Sequence, residues 1–396
     1  MKILVLQDYL RSGGTERQAV LLANAFASAG HTVTLLTFRP GGPLAGTVAT
    51  NVDRRSLQPF DTHLDWFAPG LTRFVTRTLP DIVLCMGRMA NCYAGALSVA
   101  EVGTEFLDEL NLAPLRVVST MRTGKRLPWR YRQGLKCANH IVANSHEAAR
   151  VLSDNYAIPA PKISVIHNSL VFPSASASAS ASDVGGVPPP RSGDATFSSL
   201  SAISRETLRA QHSATPSTTV LLCVAMFRPE KNQRALISLA AHVPRDTDWQ
   251  LWLVGEGETR AACTALAQQL GLADRVKFLG FQSDPAPLYR AADVAMLTSQ
   301  SESLPNFLIE AQSHGLPVVA FEVGGVRECF IPGETGWAVA PGDDTAFLAA
   351  LAPLLADPNR RAALAAPARA FAHSAFAPAG QAQRYLDLFA RLTTRP

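Results

Sequence analysis

Along this chain, short apolar runs alternate with amphipathic stretches, and the alternation occurs twice. Lys2 to Leu6 suits a buried parallel strand. The loop Ser12-Gly13-Gly14-Thr15-Glu16-Arg17 follows, then an amphipathic stretch from Gln18 to Ala29. Gly30-His31 ends that helix, and Thr32 to Phe38 reads as a second strand. Ile82–Met86, Arg116–Ser119 and His140–Ala143 are further strands, with helical segments between them. Strands alternating with helices predict a doubly wound parallel sheet.

The pattern breaks near residue 170. Phe172 to about Ser204 holds Pro-(Ser-Ala) repeats and Gly-Gly-Val-Pro-Pro-Pro, which cannot bury enough apolar area to offset ordering entropy. A second α/β series begins at Thr219, with strands at Val220–Met226, Trp249–Val254, Val276–Leu279, Val294–Leu297 and Pro317–Phe321. Helices are predicted at 232–242, 258–270, 285–291 and 305–314, and the Ala-rich tail from Asp343 is helical. The division is an N-terminal domain over 1–170, a flexible linker over 171–217, a C-terminal domain over 218–375 and a last helix over 376–396. Ligands of such sheets bind at the carboxyl ends of the strands, so the cleft between the halves is the expected site.

Composition narrows the class. The 396 residues suggest two or three domains, and 47% apolar content is too much for a disordered chain. No apolar run reaches the ~18–20 residues that span a bilayer. The N-terminus turns polar at Gln7-Asp8, too soon for a signal-peptide core, so membrane-integral and secreted proteins are disfavoured. The six cysteines show no C-x-x-C pair and read as reduced, buried thiols with no zinc site. Residues 1–170 carry 18 Lys/Arg against 12 Asp/Glu, whereas the rest carry 18 against 20. The first half therefore suits an anionic partner that the second does not.

Chemistry concentrates in Ser301-Glu302-Ser303-Leu304-Pro305-Asn306-Phe307-Leu308-Ile309-Glu310-Ala311. Pro305 suits a first helical position, and free amides at a helix start can hold a diphosphate. Glu310 can accept hydrogen bonds from a ribose diol, and Glu302 can face a sugar. Taken as spacing alone, two glutamates eight residues apart mean little, and a solvated helix face is the favoured reading.

The wider stretch 298–328 resembles the signature of retaining glycosyltransferases of family 4, which show S-E-G-x-P-x-x-x-x-E-A, then G-x-P-V-V-A and G-G-x-x-E. Glu302, Pro305, Glu310 and Ala311 fit the first part, Gly315 and Pro317 to Ala320 the second, and Gly324, Gly325 and Glu328 the third. Ser303 stands where the family has Gly. Val224 to Asn232 resembles the family's V-G-R-L-x-x-x-K-G stretch, whose Arg and Lys neutralise the leaving diphosphate. Lys231 matches, Met226 occupies the Arg position, and Arg228 is its substitute two residues on. Gly13-Gly14-Thr15-Glu16 resembles the family's G-G-x-E loop.

Arg116 to Lys136 carries seven basic residues with Trp129 and Tyr131 interleaved, and no acid lies between Leu110 and His146. Such a stretch suits an anionic membrane surface or a polyprenyl-diphosphate acceptor. No nucleic-acid module accompanies it. Where many family members have a histidine, this chain has Met121-Arg122. Asp246-Thr247-Asp248 matches a metal-binding D-x-D but precedes a strand, at the end opposite to the expected cleft. His314 reads as structural, and the histidines show no metal-ligand spacing.

The resemblance implies a GT-B fold, two Rossmann-like domains facing across a cleft, with residues 376–396 returning to the first. It implies sugar transfer from a nucleotide-sugar donor, UDP- or GDP-linked, to a lipid-linked or saccharide acceptor, with retention and without metal or cofactor. Glu302, Lys231 and Arg228 take the catalytic roles. Glu310, the amides of Asn306, Phe307 and Leu308, and those of Gly13 and Gly14 bind the donor. A cytoplasmic location, peripheral to the inner membrane face, goes with envelope or exopolysaccharide assembly. A nucleotide-sugar epimerase or hydrolase, or a catalytically idle binding subunit of the same fold, are the alternatives.

Overall fold

The structure is a computed structural model that describes residues 1–99, 114–124, 126–170 and 204–394. It divides into two compact units, residues 1–169 with 376–396, and residues 170–375.

In the first unit, seven strands form a parallel sheet among the described residues: β1 (Lys2–Gln7), β2 (Thr32–Thr37), β3 (Asp53–Ser56), β4 (Ile82–Cys85), β5 (Arg116–Met121), β6 (His140–Ala143) and β7 (Ile163–Val165). Their order is β3-β2-β1-β4-β5-β6-β7. The central strands are buried along their length because helices cover both faces of a parallel sheet. Those helices include α1 (Gly14–Ser28), α2 (Leu71–Thr78), α3 (Gly87–Val99), α4 (Trp129–Cys137) and α5 (His146–Tyr156).

In the second unit, β8 (Thr219–Val224), β9 (Trp249–Val254), β10 (Val276–Phe278), β11 (Val294–Leu297), β12 (Val318–Phe321) and β13 (Gly336–Val339) form a parallel sheet ordered β10-β9-β8-β11-β12-β13. Its helices are α6 (Arg205–Gln211), α7 (Gln233–Ala240), α8 (Arg260–Gln269), α9 (Ala286–Ala291), α10 (Asn306–Ser313), α11 (Asp344–Ala356) and α12 (Pro358–Ala375). The last helix, α13 (Pro378–Thr393), belongs to the first unit, where Phe389 and Tyr385 pack edge-on against Phe26 of α1.

Three expectations need correction. Of the linker read over 171–217, residues 171–203 lie outside the described residues, and the remainder includes α6. Arg209 of that helix is buried, ion-paired to Asp293 and donating to the carbonyls of Ala291, Thr215 and Thr218, so it is part of the second unit's core. The first strand of the second unit ends at Val224, two residues before Met226. Of the cysteines, Cys137 is exposed and Cys92 half-buried, while the other four are buried as expected.

A buried polar knot fastens the two places where the chain leaves and re-enters the first unit. Gln18 Oε1 accepts from the Ser169 N–H at 3.1 Å and from Gln381 Nε2 at 2.9 Å. Ser169 Oγ donates to Gln381 Oε1 at 2.7 Å, and Gln381 Nε2 also reaches the His167 carbonyl at 2.8 Å. Burial is tolerated because each amide finds partners.

Candidate active site

In the second unit the chain runs from β8 outward to β9 and β10, then returns beside β8 as β11 and continues to β12 and β13. The loops after β8 and β11 therefore diverge at the carboxyl edge of the sheet and leave a crevice there, the position where such sheets bind ligands. Lys231 lies in the first loop and Glu302 in the second.

The structure brings these two together. Lys231 Nζ donates to Glu302 Oε1 at 2.6 Å, with the Glu302 side chain only 9% exposed. The loops are also sewn by main chain: the Gln300 N–H donates to the Glu230 carbonyl at 2.8 Å, and Thr298 Oγ1 to the Asn232 carbonyl at 2.9 Å. Asn232 takes a left-handed backbone, φ 49°, a conformation asparagine reaches more readily than most residues. Arg228 is exposed, and its side chain makes no ion pair among the described residues. Met226, at the family's Arg position, is 52% exposed.

Gly324 explains the double glycine of the signature. Its φ is +54°, and a Cβ there would overlap the Glu302 carbonyl. The Gly325 N–H donates to the Ser303 carbonyl at 2.9 Å. The loop after β12 thus lies directly on the Glu302 loop. Ser303 does not have a positive φ, so its departure from glycine needs no backbone adjustment.

Glu310 sits on α10, where Tyr289 OH donates to its Oε2 at 2.5 Å. Tyr289 is 2% exposed and stacks on His314 and Phe307. Burial, then the adjacent Glu310 carboxylate, holds the phenol well above its ordinary pKa, so it stays a donor. Tyr289 is a residue that sequence reasoning missed. Its signal is a buried tyrosine in a short helix, since a buried phenol needs a partner. Gly255 and Gly257, after β9, were missed too: their φ values are +136° and +150°, and a Cβ at either would strike the carbonyl of Ala225 or Phe227.

Two details of the helix start differ from expectation. Pro305 lies just outside α10 rather than at its first position, with ψ 106°. Of the three amides assigned to an anion, that of Leu308 donates to the Pro305 carbonyl at 3.1 Å.

Gly13 and Gly14 belong to the first unit, at the start of α1. The Glu16 carboxylate folds back so far that a Cβ on Gly13 would overlap it, and it accepts from its own N–H. Arg11 lies 3.6 Å from Asp8 and 3.9 Å from Glu16 and pairs with Asp65. Burial raises the carboxyl pKa of both Asp8 and Glu16. This turn carries carboxylates of its own, unlike a bare phosphate cradle.

The basic stretch Arg116 to Lys136 is not one surface. Arg116 donates from Nε to the Leu392 carbonyl, Arg122 turns inward, and Tyr131 is buried with its hydroxyl donating to the Thr120 carbonyl at 2.7 Å. Lys125 lies outside the described residues. Arg126, Arg130, Lys136 and Trp129 are exposed. Asp248 of the D-x-D accepts from the hydroxyls of Ser217 and Thr218, which ties down the start of β8. His146 and His167, unconnected by spacing, face each other with ring centroids 5.7 Å apart. Among the described residues, no helix is long and apolar enough to cross a membrane.

Comparison with known proteins agrees with this layout. The family Glycosyltransferase Family 4 matches residues 12–170, and Glycosyl transferases group 1 matches residues 204–371. The lipopolysaccharide core biosynthesis glycosyltransferase LpsE of Rhizobium meliloti is 34% identical over 157 residues, which is 40% of this chain and 45% of that protein. A D-inositol 3-phosphate glycosyltransferase of Rhodococcus opacus is 37% identical over 174 residues, 41% of this chain and 39% of that protein. The chain thus aligns with less than half the length of these curated relatives. The solved structure of Anabaena HepE in complex with UDP superposes with a TM-score of 0.74 at 21% identity, covering 99% of this chain and 100% of that one. With two parallel Rossmann-like sheets and a family match on each, the chain belongs to the family 4 glycosyltransferases of GT-B fold.

Proposed function

We propose that this chain is a retaining glycosyltransferase that moves a sugar from a UDP- or GDP-sugar to a lipid-linked or saccharide acceptor in polysaccharide or lipopolysaccharide assembly. The observation that carries the reading is the Lys231–Glu302 pair at the crevice of the second unit, beside a helix on which Tyr289 orients Glu310. Glu310 accepts from the ribose diol. Lys231, with Arg228 free to swing in, meets the diphosphate as its charge grows in the transition state, where preorganised cations act most strongly. These two cations supply the charge that a metal would otherwise bring, so the reaction runs without metal or cofactor. Glu302, released from Lys231 by the incoming diphosphate, turns its carboxylate to the donor sugar. The leaving phosphate oxygen takes the acceptor proton, so no separate general base is required. The relative named for lipopolysaccharide core biosynthesis supports the envelope setting. The exposed Trp129, Arg126 and Arg130 support a peripheral position at the cytoplasmic membrane face.

The test is a thermal-shift series with UDP, GDP, ADP and their sugars on wild type and on Glu310→Ala. A ligand at ~100 times its Kd adds ~2.7 kcal/mol of stability, a shift of several degrees. Response to one nucleotide, lost in the variant, identifies the donor. Silence toward all of them overturns the reading.

A further inference from the structure

The first unit has a crevice of its own. Its chain runs from β1 through β2 to β3 at one edge, then resumes on the other side of β1 with β4, so the loops after β1 and β4 part at the carboxyl edge. A cavity of about 430 Å³ lies there, large enough for a sugar phosphate. Thr15 reaches it from the start of α1, Arg88 from the start of α3, and Arg122 and Arg126 from the loop after β5. Tyr131 and Leu127 supply its apolar wall.

The three guanidinium groups make no ion pair among the described residues. Arg122 is the most telling. Its Nη2 donates to Asn168 Oδ1, while Nη1 is buried without a hydrogen-bond partner, as is the nearby Tyr385 hydroxyl. A half-buried cation without a counter-charge is costly, and desolvation lowers the Arg122 pKa accordingly. The neighbours that the unit offers it, the Asn168 amide and the Tyr385 hydroxyl, are neutral, whereas an anion seated in the cavity supplies the missing counter-charge.

We propose that this cavity binds a phosphate group carried by the acceptor, held by Arg88, Arg122 and Arg126, with the Thr15 hydroxyl as a further donor. Planar guanidinium forks match phosphate oxygens two at a time, and a dianion answers a site with several cations and no acid in its lining. The word acceptor rests on the glycosyl-transfer reading above; the anion site does not. Two carriers share this chemistry, a soluble sugar phosphate and a phospholipid.

The full chain carrying Lys231→Ala, which suppresses phosphate uptake by the second unit, is titrated calorimetrically with inorganic phosphate, glucose 6-phosphate and dihexanoyl phosphatidic acid. Saturable binding of at least one is expected, weakened tenfold or more by Arg122→Gln and by the Arg88→Ala/Arg126→Ala pair. The paired variant alters only exposed side chains, so it keeps the test sound if Arg122→Gln folds poorly. Tighter binding of the sugar phosphate assigns a soluble carrier, and tighter binding of the phospholipid a lipid one. Absence of saturable binding, or binding indifferent to the arginine substitutions, overturns the proposal. Nucleotide binding by wild type is measured in parallel: its loss sinks the donor reading while leaving the anion result standing.

Discussion

Lys231 Nζ stands 2.6 Å from Glu302 Oε1, and this contact spans the two loops that diverge from the central strands of the second unit. On the proposed reading, the cation that meets the diphosphate is paired with the carboxylate that meets the sugar, and donor binding separates the two. Lys231→Met is expected to lower kcat by about 10²–10³-fold, as loss of a transition-state donor does. Stability is expected to fall as well, by roughly 3 kcal/mol, because the Glu302 carboxylate, only 9% exposed, is left without its counter-charge. Steady-state kinetics and a thermal melt of the same preparation read the two effects apart.

Tyr289→Phe removes one hydroxyl and keeps the ring stacked between Phe307 and His314. The Glu310 carboxylate then loses the hydrogen bond that the phenol donates to its Oε2. Nucleotide affinity is expected to weaken about ten- to a hundredfold, the worth of one hydrogen bond to a charged group, with less loss than in Glu310→Ala. Calorimetric titration of both variants settles the order. Equal affinity in Tyr289→Phe and wild type would remove Tyr289 from the site.

Gly324 combines a positive φ with close approach to the Glu302 carbonyl, and two substitutions separate these demands. Asparagine tolerates the backbone angle, but its Cβ meets the same carbonyl as that of alanine. Both Gly324→Asn and Gly324→Ala are therefore expected to lose activity and ~1–3 kcal/mol of stability. Rescue by asparagine alone would show that φ, not proximity, matters.

His140 supplies a pH signature for the first unit. Burial first, then Arg391 and Lys162, depress its pKa from 6.5 to about 4, and its Nε2 lies 2.8 Å from Ser164 Oγ. Between those pH values the unfolded chain binds a proton that the folded chain refuses. Stability is thus lost as pH falls from 6.5 toward 4, and no more is lost to this residue below that. Thermal melts across this range should show a shallower fall in His140→Gln than in wild type.

Much of this was legible before the structure. Long apolar runs such as Val220 to Val224 announced the buried central strands, and Lys231, Glu302 and Glu310 stood out through the family signature. The edges did not. Strand β3, Asp-Arg-Arg-Ser, is exposed throughout and is a strand only because β2 pairs with it. Gly255, Gly257 and Tyr289 were invisible because their roles depend on what another loop brings near them. The basic run misled for a related reason. Strand, loop and helix point successive side chains in different directions, so one charge run became a strand anchor, a cavity lining and an exposed helix face.

The Gln18–Ser169–Gln381 knot makes the second unit an insertion in the first. The departing and returning strands of chain are pinned to the same glutamine, Ser169 and Gln381 touching at 2.7 Å. A short Gly-Ser bridge from Ser169 to Phe376 would therefore close the host without distortion, and the trimmed protein should fold alone. Evolution has the same freedom: a cassette held between clasped ends can be exchanged for another while its host stays intact.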